Sequence, residues 1–549
     1  MQAHWRGRER YTIFDSDYGD GSGMRALLQA WRDDPQRPAH LHLIALAAGR
    51  MPGFHRIAQR ERGVTLDLLS APLDAALAQL VARLDFICLH GIGGEGNAFA
   101  RPLARLAAAD ALLAADGLAA GQIDALVAHG FVFGEGHARF ASRKPRLPVS
   151  PVPPRRALVI GAGIAGAAAC ERLCARGWQV TLVERHEGPA MEASGNLAGI
   201  FMPLVSRDDN IPTRLVRAAY LYALQYWETI GGIGRAIEGA ACGVLQLARD
   251  AAHARAARAL AADGRYPPEF ARWLESEEAS AMLGLLAPEG GWLFPQGGWA
   301  RPGSVCDAML AACGDRLDAR FGAGSVRLER VGDEWQAVDA QGIVLAQAPT
   351  VILASGAGAK AFPLTAPLPL DALRGQVSHI AADSLPPLPL VLCREAYLTP
   401  ASHGICCAGA TYDPDPDPAL WQSSHDDNLG KLRALLSDPH AAGEAPLAGR
   451  VGFRTVAPDR LPLIGRLPDF AAAGATERLR DVPRHPGLYG LLGYASRGLT
   501  WAPLAAELLA AALEGEPLPL EENLVDALDP ARFVLRARRA PRGPNPVVG

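Results

Sequence analysis

No C-x-x-C pair, no long apolar run and no strong excess of either charge is found in this sequence of 549 residues. Each absence excludes something. The 9 cysteines are odd in number and scattered, which argues against a disulfide framework and against a zinc site. Reduced thiols are expected, no metal site is expected, and the adjacent Cys406 and Cys407 read as core. No stretch reaches the roughly 18 apolar residues that span a bilayer, so no membrane partner is expected. The start, MQAHWRGRERY, lacks the apolar segment of a secretory signal, and a cytoplasmic location follows as an expectation. Net charge is only −4, so the chain as a whole does not announce a polyanion partner. No self-similarity at a period of about 20–50 residues is present, which removes solenoids and propellers.

What is present is length for two or more domains and a hydrophobic fraction of 49%, enough for large cores. The stretch SRKPRLPVSPVPPRR, residues 142 to 156, holds five prolines and five basic residues and reads as a semi-rigid spacer. On either side of it lies a glycine loop. The first is in TIFDSDYGDGSGMRALLQAW, residues 12 to 31. Tyr11, Ile13 and Phe14 end a strand, Gly19, Gly21 and Gly23 form a turn, and MRALLQAW has helical spacing. Such a turn is where α/β proteins hold a nucleotide-like ligand. Asp15, Asp17 and Asp20 crowd it, however, and would repel phosphate.

The second loop is complete. RRALVIGAGIAGAAACERLCARGWQVTLVE, residues 155 to 184, runs strand, G-x-G-x-x-G, helix, strand and terminal acid. Gly161 makes the tight turn, Gly163 admits a pyrophosphate to backbone amides, and Gly166 lets helix and strand pack closely. Glu184 ends the second strand, where it can accept hydrogen bonds from ribose hydroxyls and would repel a 2′-phosphate. The chain does not then resume a simple βαβ ladder, which favours FAD over NAD. Three later stretches fit a return to the nucleotide domain. TVILASGAGAK (350–360) is a strand ending in small residues. VGFRTVAPDRLPLIGRLPD (451–469) is strand–turn–strand with Asp459 at the bend. GLYGLLGYASRGLTWAPLAAELLAAALEGEPLP (487–519) is a strand, a glycine turn and a long amphipathic helix, whose N-terminus can stabilise negative charge on a reduced flavin.

From about Arg156 to Arg539 the chain resembles the FAD domain of the bifunctional tRNA 5-methylaminomethyl-2-thiouridine biosynthesis proteins, flavoproteins related to D-amino-acid, glycine and sarcosine oxidases. The matching stretches are ASGNLAGIFMP (193–203), CGVLQLA (242–248), GGWLFPQGGWARP (290–302), RGQVSHI (374–380), GATYDPD (409–415), DRLPLIG (459–465) and SRGLTWAPLAAELL (496–509). One departure is CREAYLTP (393–400) for the family's CGDGYLTP. The resemblance implies FAD held by Gly161, Ala162, Gly163, Ile164, Ala165, Gly166, Glu184 and Arg185, by Ser194, Gly195 and Asn196, by Gly356, and by Ser496, Gly498 and Leu499. It implies oxidation of the glycyl group on a 5-carboxymethylaminomethyl wobble uridine of tRNA, with loss of glyoxylate. That chemistry needs a cation to clamp the carboxylate. Arg454 and Arg497 stand where the related oxidases place such arginines, and Tyr397 is a third contact. Surface ion pairs for the arginines and a core position for Tyr397 are the alternatives.

The family's N-terminal half is an S-adenosylmethionine-dependent methyltransferase, and residues 5 to about 146 resemble it. Its loop E-T-G-F-G-T-G-L-N-F-L meets Asp15, Asp17 and Gly23 here. Ala47 and Ala48 stand where an acid would hold ribose hydroxyls. His90 replaces the aspartate of L-D-G-F-A-P, with no second His, Cys or acid spaced to help it. Asp85 lies on the opposite face of that strand. The chain also begins later than the family pattern. A remnant without methyl transfer is expected, and S-adenosylmethionine is weighed against as a second cofactor. Arg143, Lys144, Arg146, Arg155 and Arg156, with the tail RFVLRARRAPR (532–542), form a candidate tRNA-docking surface, a solvated tail being the alternative.

The expected fold is α/β: a Rossmann-like methyltransferase-type domain (1–146), a linker (147–156), a glycine-oxidase-like FAD domain with an α+β substrate-binding subdomain (157–539), and a tail (540–549), acting as a monomer. Three functions stay open: a tRNA wobble-uridine oxidase with a decayed partner domain, a fully bifunctional enzyme, and a free glycine- or sarcosine-type amino-acid oxidase.

Overall fold

The computed structural model describes residues 2–59, 61–92, 96–141, 152–443 and 446–539. Arg143, Lys144 and Arg146 of the spacer and residues 540–549 lie outside them. The chain forms two compact units. Unit 1 takes residues 1–153, 224–229 and 507–525; unit 2 takes 154–223, 230–506 and 526–549.

Unit 1 is built on an eight-stranded sheet. In chain order it comprises β1 (Arg10–Asp15), helix α1 (Ser22–Asp33), β2 (His40–Leu46), β3 (Gly53–Ile57), β4 (Val64–Ser70), β5 (Leu84–Leu89), β6 (Ala107–Ala115), β7 (Phe131–Phe133) and β8 (Ala138–Phe140). The strand order is β3-β4-β2-β1-β5-β6-β8-β7. The inner pairs β4–β2, β2–β1, β1–β5 and β5–β6 are parallel. β1 is buried along nearly its whole length because its residues Tyr11, Ile13 and Phe14 meet apolar layers on both faces. The order reverses between β1 and β5, the topological switch point at which open α/β sheets leave a crevice past the strand ends.

Unit 2 contributes β9 (Arg156–Ile160), α2 (Ile164–Ala175), β10 (Gln179–Val183), β11 (Val244–Leu247), β12 (Arg272–Leu274), β13 (Gly291–Phe294), β14 (Leu317–Arg320), β15 (Thr350–Leu353), β16 (Asp371–Ala381), β17 (Val391–Cys393), β18 (Tyr397–Leu398), β19 (Ile405–Gly409), β20 (Ala448–Val456), β21 (Leu463–Pro468), β22 (Arg484–Leu492), the first part of α3 (Gly498–Glu514), whose residues from 507 on are counted with unit 1, and α4 (Arg532–Arg539). Two large sheets divide the strands. One has the order β14-β10-β9-β15-β22-β21 and is parallel except for β21; the other has the order β12-β13-β11-β17-β18-β19-β16-β20. Leu158 and Val159 of β9 are fully buried, and each stabilises the unit by about 1.5–3 kcal/mol. Helix α3 corrects the sequence reading. It is not amphipathic: nearly every residue from Leu499 to Leu513 is buried, Thr500 and Glu507 included, and a helix apolar all round belongs inside a protein. The strand–turn–strand around Asp459 is not a hairpin, since β20 and β21 belong to different sheets.

All 9 cysteines are free, and Cys406 and Cys407 are buried in the sheet as their apolar context implied. Among the described residues no helix is long and apolar enough to cross a membrane.

Candidate active site

The dinucleotide crevice of unit 2 lies where β9 and β15 end side by side. Gly161 leaves β9 with φ +104°, and a Cβ there would meet the Ala354 carbonyl oxygen at 2.8 Å. A Cβ at Gly166 would fall 1.8 Å from the Gly161 carbonyl oxygen, so only glycine lets α2 begin this close to the strand. Gly163 is the N-cap of α2 and offers no side chain to the first turn. The Ile164 amide donates to Ser194 Oγ at 3.1 Å, and among the described residues Ala165 and Gly166 amides keep the open donors of a helix start. Beside the Gly161 turn, Ser355 Oγ is buried with no partner among the described residues, just ahead of Gly356 at φ +52°. An unpartnered buried hydroxyl next to a glycine turn that leads into a bare helix N-terminus fits a dinucleotide diphosphate. Glu184 is buried and accepts from the Ala162 amide at 2.6 Å and the His186 amide at 3.0 Å, which fixes its carboxylate at the strand end. Arg185 is exposed and pairs with Glu192, the residue before the Ala193–Gly195 turn.

The turn Ala193–Gly195 is held from below by a residue that sequence reasoning missed. Arg450 donates to the Met191 and Glu192 carbonyls at 2.8 and 2.5 Å and to Asn196 Oδ1 at 3.3 Å. A Cβ on Gly195 would lie 2.3 Å from its guanidinium. Burial depresses its pKa, with Glu192 opposing. Gly498, at the start of α3, comes as close to the second glycine loop as a side chain permits: its Cβ would stand 3.2 Å from Ile164 Cγ2. Leu499 packs on Gly199 in the same way, while Ser496 is exposed.

Arg450, Gly452 and Arg454 share one face of β20 by strand alternation. Arg454 is half-buried, donates to the Thr411 carbonyl at 3.0 Å, and lies 4.2 Å from the ring centroid of Tyr412. Across the ladder stands Gly375, where a Cβ would fall 1.8 Å from Arg454 Nη1. That glycine of the RGQVSHI stretch is the space the guanidinium occupies. Arg497 is half-buried and donates to the Met202 carbonyl at 3.3 Å; burial lowers its pKa, while the fields of Tyr412 and Cys393 oppose. Tyr397, on β18, has its phenol pushed up by burial, with Cys407 raising it further and Arg454 opposing. Arg454, Arg497 and Tyr397 are therefore brought together, with Tyr412 common to all three. Neither arginine has a carboxylate within ion-pair distance among the described residues, so the surface-ion-pair alternative does not hold. Tyr412 was missed in the sequence; the residue is 57% exposed, so the arginines meet it at the surface of the unit. On the same strand face as Tyr397, a cavity of about 150 Å³ is lined by Ala198, Trp299, Thr399 and Cys407, with Glu238 and His403 at its wall.

The glycine loop of unit 1 is occupied by its own acids. Asp15 accepts from the Asp17 amide at 3.0 Å, Asp17 from Gly19 at 2.9 Å, and Asp20 from Ser22 at 2.9 Å. Tyr18 lies over Gly21, where a Cβ would meet its hydroxyl at 2.7 Å. Asp85 points away as expected, accepting from the Thr12 amide at 2.8 Å and pairing with Arg8 at 3.0 Å. The expectation for His90 is corrected. It has partners, brought by strands distant in sequence: Asp116 Oδ2 is 3.1 Å from Nδ1 and Asp15 Oδ1 is 3.6 Å from Nε2. Two arginines of the tail are corrected too, while Arg542 lies outside the described residues. Arg532 is buried and bonds Asp459 at 2.9 and 3.0 Å, and Arg536 bonds the same carboxylate at 2.5 Å. Arg156 is paired with Glu334. These three are structural contacts rather than free docking charges.

The family described as FAD dependent oxidoreductase matches residues 156–512. A tRNA 5-methylaminomethyl-2-thiouridine biosynthesis bifunctional protein of Azoarcus sp. (strain BH72) is 43% identical, over 99% of this chain and 93% of its own. That of Burkholderia cenocepacia (strain HI2424) is 40% identical over 99% and 92%. Among solved structures, iminodiacetate oxidase from Chelativorans sp. BNC1 superposes with TM-score 0.54 at 24% identity, over 66% of this chain and 96% of its own. Glycine oxidase from Geobacillus kaustophilus does so with TM-score 0.54 at 21% identity, over 69% and 99%. These two likenesses bear on the fold.

Proposed function

The chain belongs to the family of bifunctional tRNA 5-methylaminomethyl-2-thiouridine biosynthesis proteins and is an FAD-dependent oxidoreductase of tRNA wobble-uridine modification; on that premise we propose that it removes the carboxymethyl group of 5-carboxymethylaminomethyl-2-thiouridine. The product is 5-aminomethyl-2-thiouridine, and the two lost carbons leave as glyoxylate.

Bound FAD supplies a hydride acceptor for the glycyl CH2 and would be held by the Gly161–Gly166 loop, Ser194, Ser355 and Glu184. The protein's own part is to bring the donor into place. Arg454 and Arg497 take the substrate carboxylate, and a bidentate contact to a guanidinium fixes its direction as well as its position. The observation that carries this reading is the pair of half-buried guanidinium groups, both lacking a carboxylate among the described residues and both against Tyr412. A buried cation without a counter-ion is costly, and a carboxylate arriving there relieves that cost. The depressed pKa of Arg497 reports the same imbalance. Holding carboxylate and amine at once aligns the reacting C–H, which supplies much of the rate. The raised pKa of Tyr397 keeps its phenol protonated, so it donates a hydrogen bond and does not serve as a base. None is required if the amine enters neutral. Water then hydrolyses the resulting imine.

Methyl transfer is lost in this reading. The loop amides that would meet a cofactor are bonded to Asp15, Asp17 and Asp20, and Ala47 offers ribose hydroxyls no acceptor. The protein works on tRNA in the cytoplasm. The test is anaerobic flavin reduction. Wobble-modified tRNA should bleach the flavin absorbance in a single turnover, while glycine, sarcosine and iminodiacetate at equal concentration should not. Bleaching by the free amino acids alone would turn the reading to an amino-acid oxidase.

A further inference from the structure

Where unit 1 has lost its nucleotide chemistry, three side chains of different ligand type converge. Asp15 ends β1, Cys88 lies one residue before the end of β5, and His90 lies one residue past it. Their candidate ligand atoms all lie within 4.8 Å of one another. Asp15 Oδ1 and His90 Nε2 are 3.6 Å apart. In a tetrahedral zinc site with bonds of 2.0–2.3 Å, neighbouring ligand atoms are about 3.3–3.7 Å apart, so this pair already has the required spacing. Cys88 needs to approach by about 1 Å, within reach of a rotamer adjustment.

The second nitrogen of His90 is held as metal-bound imidazoles usually are. Nδ1 lies 3.1 Å from Asp116 Oδ2, and Asp116 Oδ1 accepts from the Gly91 amide at 3.1 Å. A carboxylate behind the ring selects the tautomer that leaves Nε2 free. The backbone is tied as well, the His90 amide donating to Ser16 Oγ at 2.7 Å. An ion pair between His90 and its two acids would need no sulfur. A thiol beside an imidazole and a carboxylate is instead the mixed donor set that favours Zn²⁺ over Mg²⁺ or Ca²⁺. The three also meet at the switch point between β1 and β5, where this sheet class takes its ligands.

We propose that Asp15, Cys88 and His90 form a Zn²⁺-class metal site with a fourth position open to water, with Asp116 as the positioning residue behind the imidazole. Binding would release the Cys88 thiol proton to solvent. The inference is independent of the flavin reaction.

The full chain with FAD bound, dialysed against Zn²⁺ in the presence of a chromophoric chelator, tests it. Wild type should retain one Zn²⁺ per chain. His90→Ala and Asp15→Asn should abolish retention, and Asp116→Asn should weaken it by roughly ten- to a hundredfold, the usual effect of an outer carboxylate. Unchanged far-UV circular dichroism and an unchanged thermal unfolding profile show that each variant is folded. With Co²⁺ the difference spectrum should show a thiolate-to-metal charge-transfer band that Cys88→Ser removes. Zinc retention in wild type no greater than in His90→Ala would overturn the site. A cobalt band that survives Cys88→Ser would overturn the ligand set.

Discussion

At the scale of single residues, the site rests on two cations without counter-ions among the described residues. Replacing Arg454 or Arg497 by alanine should leave FAD bound and cost about 1.5–3 kcal/mol in transition-state stabilisation. Steady-state kinetics on modified tRNA should then show kcat/KM falling roughly ten- to a hundredfold; unchanged values in both variants would place the carboxylate elsewhere. Gly375→Ala is a sharper probe. Its Cβ meets only the far end of the Arg454 side chain, so folding should change by less than about 1 kcal/mol while kcat/KM falls as in Arg454→Ala. Wild-type kinetics in that variant would mean that the guanidinium position is immaterial. That Arg454, Arg497 and Tyr397 come together could be expected from the sequence because each sits in a short stretch of family pattern; their contact with substrate is the proposal. Tyr412, Arg450 and the partners of His90 were not. Their contacts are made across strands far apart in the chain, and no local spacing encodes them.

At the scale of elements, the glycine loops were readable and the helix faces less so. The turn from β9 to α2 follows from local sterics, since Gly161 and Gly166 have backbone atoms where a Cβ would be. Helix α3 was misread because periodicity over an alanine-rich segment does not distinguish one covered face from two. Helix α4 was misread for another reason: charge in a terminal segment suggested solvent, whereas Asp459 draws Arg532 inside. Burial opposes ionisation of Asp459, but the hydrogen bonds of Arg532 prevail and hold its carboxyl below the usual range. Asp459→Ala therefore leaves Arg532 buried and uncompensated, and should lower stability by about 3 kcal/mol in urea unfolding. In unit 1 the sign is reversed. Burial pushes Asp85 up to about 6, with Asp110 adding to it and the Thr12 amide and Arg8 opposing. The folded state therefore favours the protonated carboxyl, and the associated stability is lost as pH rises through that value. Compared with Asp85→Asn, wild type should lose on the order of 1–3 kcal/mol between about pH 4 and about pH 7. A pH-independent difference between the two proteins in thermal unfolding would contradict this.

At the scale of the whole molecule, unit 2 keeps a cofactor cradle, and the proposed reading has methyl transfer lost from unit 1. Purified protein should be yellow with FAD and should not bind S-adenosylmethionine in isothermal titration; heat of binding at concentrations that saturate ordinary methyltransferases would restore the bifunctional reading. The reaction itself is read from the mass of the wobble nucleoside. Transfer RNA carrying 5-carboxymethylaminomethyl-2-thiouridine is incubated with the protein and S-adenosylmethionine, digested and measured. Conversion to 5-aminomethyl-2-thiouridine, one glyoxylate per uridine, and no methylaminomethyl product are expected. Recovery of the carboxymethylaminomethyl nucleoside unchanged, from protein that carries FAD, would contradict the proposed reaction.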